Sequence, residues 1–178
     1  MLFRAIGSRG YFWPLAQLCS RQIQVLGAPA QDKIKLLALS PDRFGSGFDT
    51  LIETGSLSVY RMPYYWQAAI VNLVPRKNGL AGDDLLDLLG KFLLALRHLH
   101  NFDCVVSACL WYSQDIPWGE AAERVGIPFL LFHKESLPSP AQLNSHAKVA
   151  KKYSPFKGSH IFVANEVTKK LLIDCKFV

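Results

Sequence analysis

The sequence has no run of eighteen apolar residues, so no segment reads as a transmembrane helix. It has four cysteines, Cys19, Cys104, Cys109 and Cys175, and none stands in a C-x-x-C pair or at zinc spacing from a histidine. Finger-type metal chemistry is therefore excluded, and a reduced, cytoplasmic setting fits best. No G-x-S-x-G elbow and no P-loop occurs, which argues against a serine hydrolase of that type and against a P-loop phosphate cradle. Basic and aromatic residues do not interleave along strands, so nucleic acid is not an expected partner. Charged residues are only 19% of the chain and hydrophobic residues 50%. That balance excludes disorder, because apolar surface is plentiful enough to offset chain entropy.

Acidic residues are missing from the first 31 positions, which hold Arg4, Arg9 and Arg21 and the aromatic run Tyr11-Phe12-Trp13. Three readings stay open for this segment: a targeting peptide, an amphipathic stretch resting on a membrane surface, or a helical arm docked on its own domain or on a partner. We treat 1–31 as an amino-terminal arm and 32–178 as the folded domain.

The 178 residues suit one domain with a real core. The net charge is +6, with the densest basic cluster at Lys148, Lys151, Lys152 and Lys157. Such a cluster reads as a solvated helix face or as an attractor of anions.

Short apolar runs alternate with helical patterns. Ile34–Leu39, Leu57–Met62, Phe102–Ala108, Ile127–Phe132 and Gly158–Val163 read as strands, most of them apolar throughout. Between them lie helical segments at about 48–53, 63–74, 83–100, 117–125 and 141–152, and a last one begins at Asn165-Glu166. Asp83 and Asp84 at the start of the longest helix, and Arg97, His98 and His100 at its end, suit the helix dipole. The expected fold is a three-layer, Rossmann-like α/β domain: a mostly parallel sheet of about five strands with helices on both faces.

In such sheets ligands bind beyond the carboxyl ends of the strands. That selects the loops that begin at Ser40, Pro63, Cys109, His133 and Ala164. The first carries Asp42, Arg43, Gly45 and Gly47, a turn that lets backbone approach an anion. It is not G-x-G-x-x-G, and Arg61 and Met62 stand where a ribose-binding acid would end the second strand. The third holds Trp111, Tyr112 and Asp115, side chains that stack on sugar rings or bond hydroxyls. The fourth is His133-Lys134-Glu135-Ser136, four polar groups directly after an apolar strand. A histidine beside a carboxylate can act as general base toward a hydroxyl, and the lysine can neutralise a phosphate. The fifth has Asn165, a good helix cap, and Glu166, a possible holder of a substrate hydroxyl.

From Phe102 to Asp174 the sequence resembles the amino-terminal half of GT-B glycosyltransferases, among them surface-carbohydrate and CDP-glycerol-transferase-like proteins. The likeness rests on Val105-Val106-Ser107, on Ala121-Ala122-Glu123-Arg124-Val125-Gly126-Ile127-Pro128, on His133-Lys134-Glu135-Ser136, and on Ile161-Phe162-Val163-Ala164-Asn165-Glu166. It implies an acceptor-binding domain that faces a second, donor-binding domain across a cleft, with this chain supplying the first. The partners it implies are a nucleotide-sugar donor, a carbohydrate or lipid-linked acceptor, and a donor domain or second copy, with no cofactor and with peripheral contact to a membrane. His133, Glu135 and Asp115 are its candidate bases, and the Gly45/Gly47 turn would face the donor phosphates. The rival reading is a non-catalytic Rossmann-like binding or assembly module, with the aromatic amino terminus and the 63–74 segment as its interface.

Overall fold

The computed structural model describes residues 12–27, 32–44, 47–72, 82–108, 115–133 and 156–174. Six strands form one sheet: β1 Gln24–Leu26, β2 Ile34–Ala38, β3 Leu57–Arg61, β4 Cys104–Ser107, β5 Phe129–His133 and β6 His160–Val163. Their order is β1-β3-β2-β4-β5-β6. β2 through β6 are mutually parallel, and β1 pairs antiparallel with β3 at one edge. The chain steps from β2 out to β3, then returns past β2 to β4 and continues outward. The direction therefore reverses between β2 and β4, and a doubly wound sheet opens its crevice at that point.

Among the described residues six α-helices precede, connect or follow the strands: α1 Phe12–Ser20, α2 Gly47–Glu53, α3 Tyr64–Val71, α4 Asp83–His100, α5 Ile116–Arg124 and α6 Glu166–Asp174. Alternation along each strand sends side chains to opposite faces. Leu37, Leu39, Tyr60, Val105, Phe129 and Leu131 enter one large core with Leu85, Leu89, Phe92, Leu93 and Leu96 of α4 and Trp118 of α5. Leu36, Ala38, Val59, Cys104 and Val106 point the other way, against Phe48 and Ile52 of α2. Helices thus lie on both faces, as expected for an α/β domain.

Local signals explain the boundaries. Pro63 precedes α3, and Gly55 and Gly126, at φ 76° and 71°, turn the chain out of α2 and α5. Asn101 ends α4 in the left-handed region at φ 51°, and its N–H donates to the Arg97 carbonyl. No helix among the described residues is long and apolar enough to cross a membrane.

One feature departs from the sequence-based expectation, and one open reading is resolved for the described part of the arm. The sheet has six strands rather than about five, because Gln24–Leu26 adds an edge strand. Three residues with mostly exposed side chains leave no apolar run to read. The 12–26 part of the arm docks on its own domain, with Leu15, Ala16 and Cys19 of α1 buried in the main core. The expected helix at 141–152 lies outside the described residues.

Gly90 lies at a close approach of α4 and α5. A Cβ placed there would meet Val125 Cγ1 at 2.7 Å. Alanine is the better helix former by about 1 kcal/mol, but overpacking against a stiff, branched side chain costs roughly 1–3 kcal/mol. The collision wins, so Gly90→Ala will destabilise the domain in urea unfolding, with a lower midpoint at unchanged slope.

Candidate functional site

The reversal brings the carboxyl ends of β2 and β4 together. Leu39 N–H donates to the Val106 carbonyl at 2.8 Å, and the next residue, Ser40, leaves the strand in the left-handed region at φ 48°. A non-glycine residue held there stores strain unless its surroundings fix it. Ser40 is buried, and its hydroxyl donates to Gln67 Oε1 at 2.6 Å. Gln67 sits on α3, also buried, and its amide donates onward to Asp115 Oδ1. Ser107, the last residue of β4, donates its hydroxyl to Asp115 Oδ2 at 2.8 Å. One buried chain of hydrogen bonds therefore runs through the end of β2, α3, the start of α5 and the end of β4.

Asp115 is the charged member of that chain. Burial pushes its carboxyl up from 3.8 to about 6. The hydrogen bond from Ser107, the charge of Arg43 and the hydrogen bond from Gln67 pull the other way, and desolvation exceeds them. At neutral pH the group is mostly a carboxylate, yet its proton affinity lies close to that pH.

Outside the network, the 3₁₀ turn Pro41–Phe44 carries two charged side chains. The Arg43 guanidinium lies over the Tyr64 ring, 5.7 Å from its centroid. Asp42 accepts from Arg61 at 2.9 Å, so the arginine that ends β3 is tied to the loop after β2. Ser40, Asp42, Arg43 and Tyr64 line a cleft of ≈ 220 Å³. On the other side of Asp42 a second cleft of ≈ 290 Å³ is lined by Leu26, Pro41, Phe48, Asp49 and Arg61. Pockets for drug-sized ligands hold roughly 300–1,000 Å³, so each cleft suits a group the size of one sugar ring or a phosphate.

The expected site residues separate clearly. Asp42 and Arg43 line the cleft at the crevice, and Asp115 is buried in the network that also holds Ser40. His133 ends β5, is buried, and lies opposite Val163 of β6. By strand alternation it shares the α5 side of the sheet with Phe129 and Leu131, and Leu131 is the register partner of Ser107. Gly47 begins α2. Asn165 acts as a helix cap, its Oδ1 accepting from the Thr168 N–H at 2.9 Å. Glu166 is exposed and paired with Lys169 at 3.3 Å. Gly45, Trp111, Tyr112, Lys134, Glu135 and Ser136 lie outside the described residues. Among the described residues no group of three or more His, Cys, Asp or Glu side chains is placed to hold a metal ion.

Ser40, Tyr64, Gln67 and Ser107 were not among the candidate site residues read from the sequence. Gln67 did leave a signal. It is the one polar residue between Trp66 and Val71, and a polar group on a buried helix face requires a partner. Ser40 and Ser107 are single hydroxyls that close apolar strands, a weaker form of the same sign.

The raised carboxyl has a definite effect on stability. In the folded state Asp115 binds its proton more tightly than in the unfolded chain. Its contribution is therefore fully present below 3.8 and is lost as pH rises through about 6. The change from 3.8 to about 6 is worth about 3 kcal/mol. Asp115→Asn removes this titration, so the wild type will lose stability relative to the variant as pH rises through that window. Urea unfolding of both proteins across the window measures it.

No family model matches the chain, and neither does any curated protein or solved structure.

Proposed function

We propose that this domain is the acceptor-binding half of a GT-B-type glycosyltransferase, with its ligand seated in the crevice between the ends of β2 and β4. The observation that supports this is a cationic and aromatic wall, Arg43 over Tyr64, set beside a buried polar network centred on Asp115. An aromatic face packs against the apolar face of a sugar ring, and a guanidinium pairs with a phosphate or carboxylate on it.

In this reading the residues have separate tasks. Asp115 has a hydrogen bond on each carboxylate oxygen, so it positions Gln67 and, through it, Ser40. His133 is the base. It takes the proton of the acceptor hydroxyl as that oxygen bonds to the anomeric carbon, and the bond from that carbon to the donor phosphate breaks. Glu135, two residues on, is the alternative base suggested by sequence. A nucleotide-sugar donor is held by a second domain, the sequence assigns Lys134 and the Gly45/Gly47 turn to phosphate, and the acceptor is a carbohydrate or lipid-linked glycan. The reading carries a cytoplasmic setting with it.

A second reading, an assembly module, is favoured by the far end of the sheet. Phe162 of β6 stacks on Phe132 with ring centroids 4.7 Å apart and is still 48% exposed. An apolar edge of this kind is a place where another chain can add.

Calorimetric titration of the chain with nucleotide-sugars, sugar phosphates and oligosaccharides separates the two. The first reading predicts binding that Arg43→Ala and Tyr64→Ala each weaken about tenfold, or 1.4 kcal/mol. Absence of binding to all three classes, alone and beside a donor domain, together with a dimer that Phe162→Ser disrupts, would overturn it in favour of the second.

A further inference from the structure

The buried chain of hydrogen bonds at the crevice has a direction. Ser107 and Gln67 donate to the two Asp115 oxygens, and Ser40 donates to Gln67 Oε1. The ionised carboxylate imposes that direction, because it can only accept. A proton on Oδ1 turns this oxygen into a donor. Gln67 then has to present Oε1 to Asp115 and its amide N–H to Ser40, by rotating its amide end for end. Ser40 in turn accepts, and its own hydrogen is released from the network. The bonds at Gln67 survive with their polarity reversed, so the inversion leaves no buried group unbonded there. Ser40 lines the ≈ 220 Å³ cleft with Arg43 and Tyr64, so the released hydrogen is available to a ligand in it. The same proton removes a negative charge on which the Arg43 charge acts. Other charged groups nearby are engaged: Asp42 with Arg61, Glu120 with Arg124, and Glu123 with the Phe129 N–H and the Ser159 hydroxyl. Among the described residues His133, at the end of β5, is the other buried titratable side chain at this edge of the sheet.

We propose that the crevice binds a phosphate-type oxyanion through Ser40 and Arg43, and that Asp115 takes up a proton as the anion binds. The position of this ligand rests on the acceptor reading above, to which it adds an acidic group on the acceptor. Linkage gives the sign. An anion beside Arg43 disfavours a second negative charge on Asp115, and it uses the donor that the protonated network supplies. Anion and proton therefore strengthen each other's binding by the same factor. Burial has already brought the carboxyl to about 6, so the proton is taken up close to neutral pH. Two substitutions separate the parts. Asp115→Asn keeps an oxygen for Ser107 and gives Gln67 a permanent N–H donor, so it fixes the protonated arrangement at every pH. Ser40→Gly deletes the released hydroxyl while permitting the left-handed bend.

NMR titration of the full chain with sulfate tests it, at a pH well below about 6 and at one well above. Sulfate stands in for phosphate because it does not itself titrate in this range. The expected result is about tenfold tighter binding at the lower pH. The Asp115 carboxyl signal, which reports that group alone, should show proton affinity raised by the same factor when sulfate is saturating. Asp115→Asn should bind sulfate at the higher pH as tightly as the wild type does at the lower one. A merely structural role for Asp115 predicts the opposite, weaker binding at both. Ser40→Gly should lose most of the gain at the lower pH and match the wild type at the higher. Four outcomes would each overturn the proposal: equal affinity at both pH values, an asparagine variant weaker than wild type at the higher pH, a glycine variant with the full pH dependence, and no response to sulfate at either pH. The acceptor reading stands apart from these results, because binding of neutral oligosaccharides that Tyr64→Ala weakens would sustain it without any response to sulfate. Should a variant fail to fold, the effect of sulfate on the Asp115 titration in the wild type still decides.

Discussion

Asp115 sits where water does not reach, at the point where the sheet changes direction. A carboxylate in such a place is tolerated only if its oxygens are bonded, and here Ser107 and Gln67 bond one each. The same bonds join four elements that are distant in sequence. Ser107 closes β4, Asp115 precedes α5, Gln67 rides on α3, and Ser40 leaves β2. The left-handed bend at Ser40 persists because Gln67 accepts from its hydroxyl. That bend aims the Pro41–Phe44 turn, and with it Arg43 and Asp42, at the crevice. Remove the carboxylate, and Gln67 loses the acceptor that orients its amide.

The apolar core supplies the frame on which this network can be rigid. α4 buries Leu85, Leu89, Phe92, Leu93 and Leu96 between the sheet and α1, and Gly90 lets α5 come close. α5 then starts where Asp115 is needed. A general contrast follows within one molecule. The face toward α4 is a thick hydrocarbon layer, each buried leucine worth roughly 1.5–3 kcal/mol. The crevice edge is polar and held by a few directional bonds. Most of the buried apolar surface lies in the first, and the ligand proposed above would sit at the second.

Most of the architecture was legible before any coordinates. The apolar runs at 34–39 and 102–108, the acid-first, base-last pattern of 83–100, and the glycines at 55 and 126 each correspond to an element or a turn in the structure. β1 was not legible, because a three-residue edge strand with exposed side chains has no periodicity to detect. Asp42, Arg43, Asp115 and His133 were legible as strand-end residues by the topology rule alone. Gln67 and Ser40 were not among the candidate site residues, since their importance lies in partners 48 and 27 residues away. Asn165 caps a helix, as its position in the sequence suggested, and Glu166 pairs with Lys169 on the surface.

The account's central claim is that the Gln67–Asp115 bond fastens the switch-point edge as a unit. A double-mutant cycle tests it most directly, with Gln67→Leu, Asp115→Leu and the pair compared by urea unfolding at neutral pH. Each single change leaves the other member of the Gln67–Asp115 bond unsatisfied, and the double change removes both members; the bonds lost at Ser40 and Ser107 are common to the singles and the double and cancel in the cycle. The account predicts a coupling energy of about 1–3 kcal/mol, with the double variant less destabilised than the sum of the singles. Additivity within about 0.5 kcal/mol would contradict it, because two residues that do not depend on each other cannot hold the crevice together.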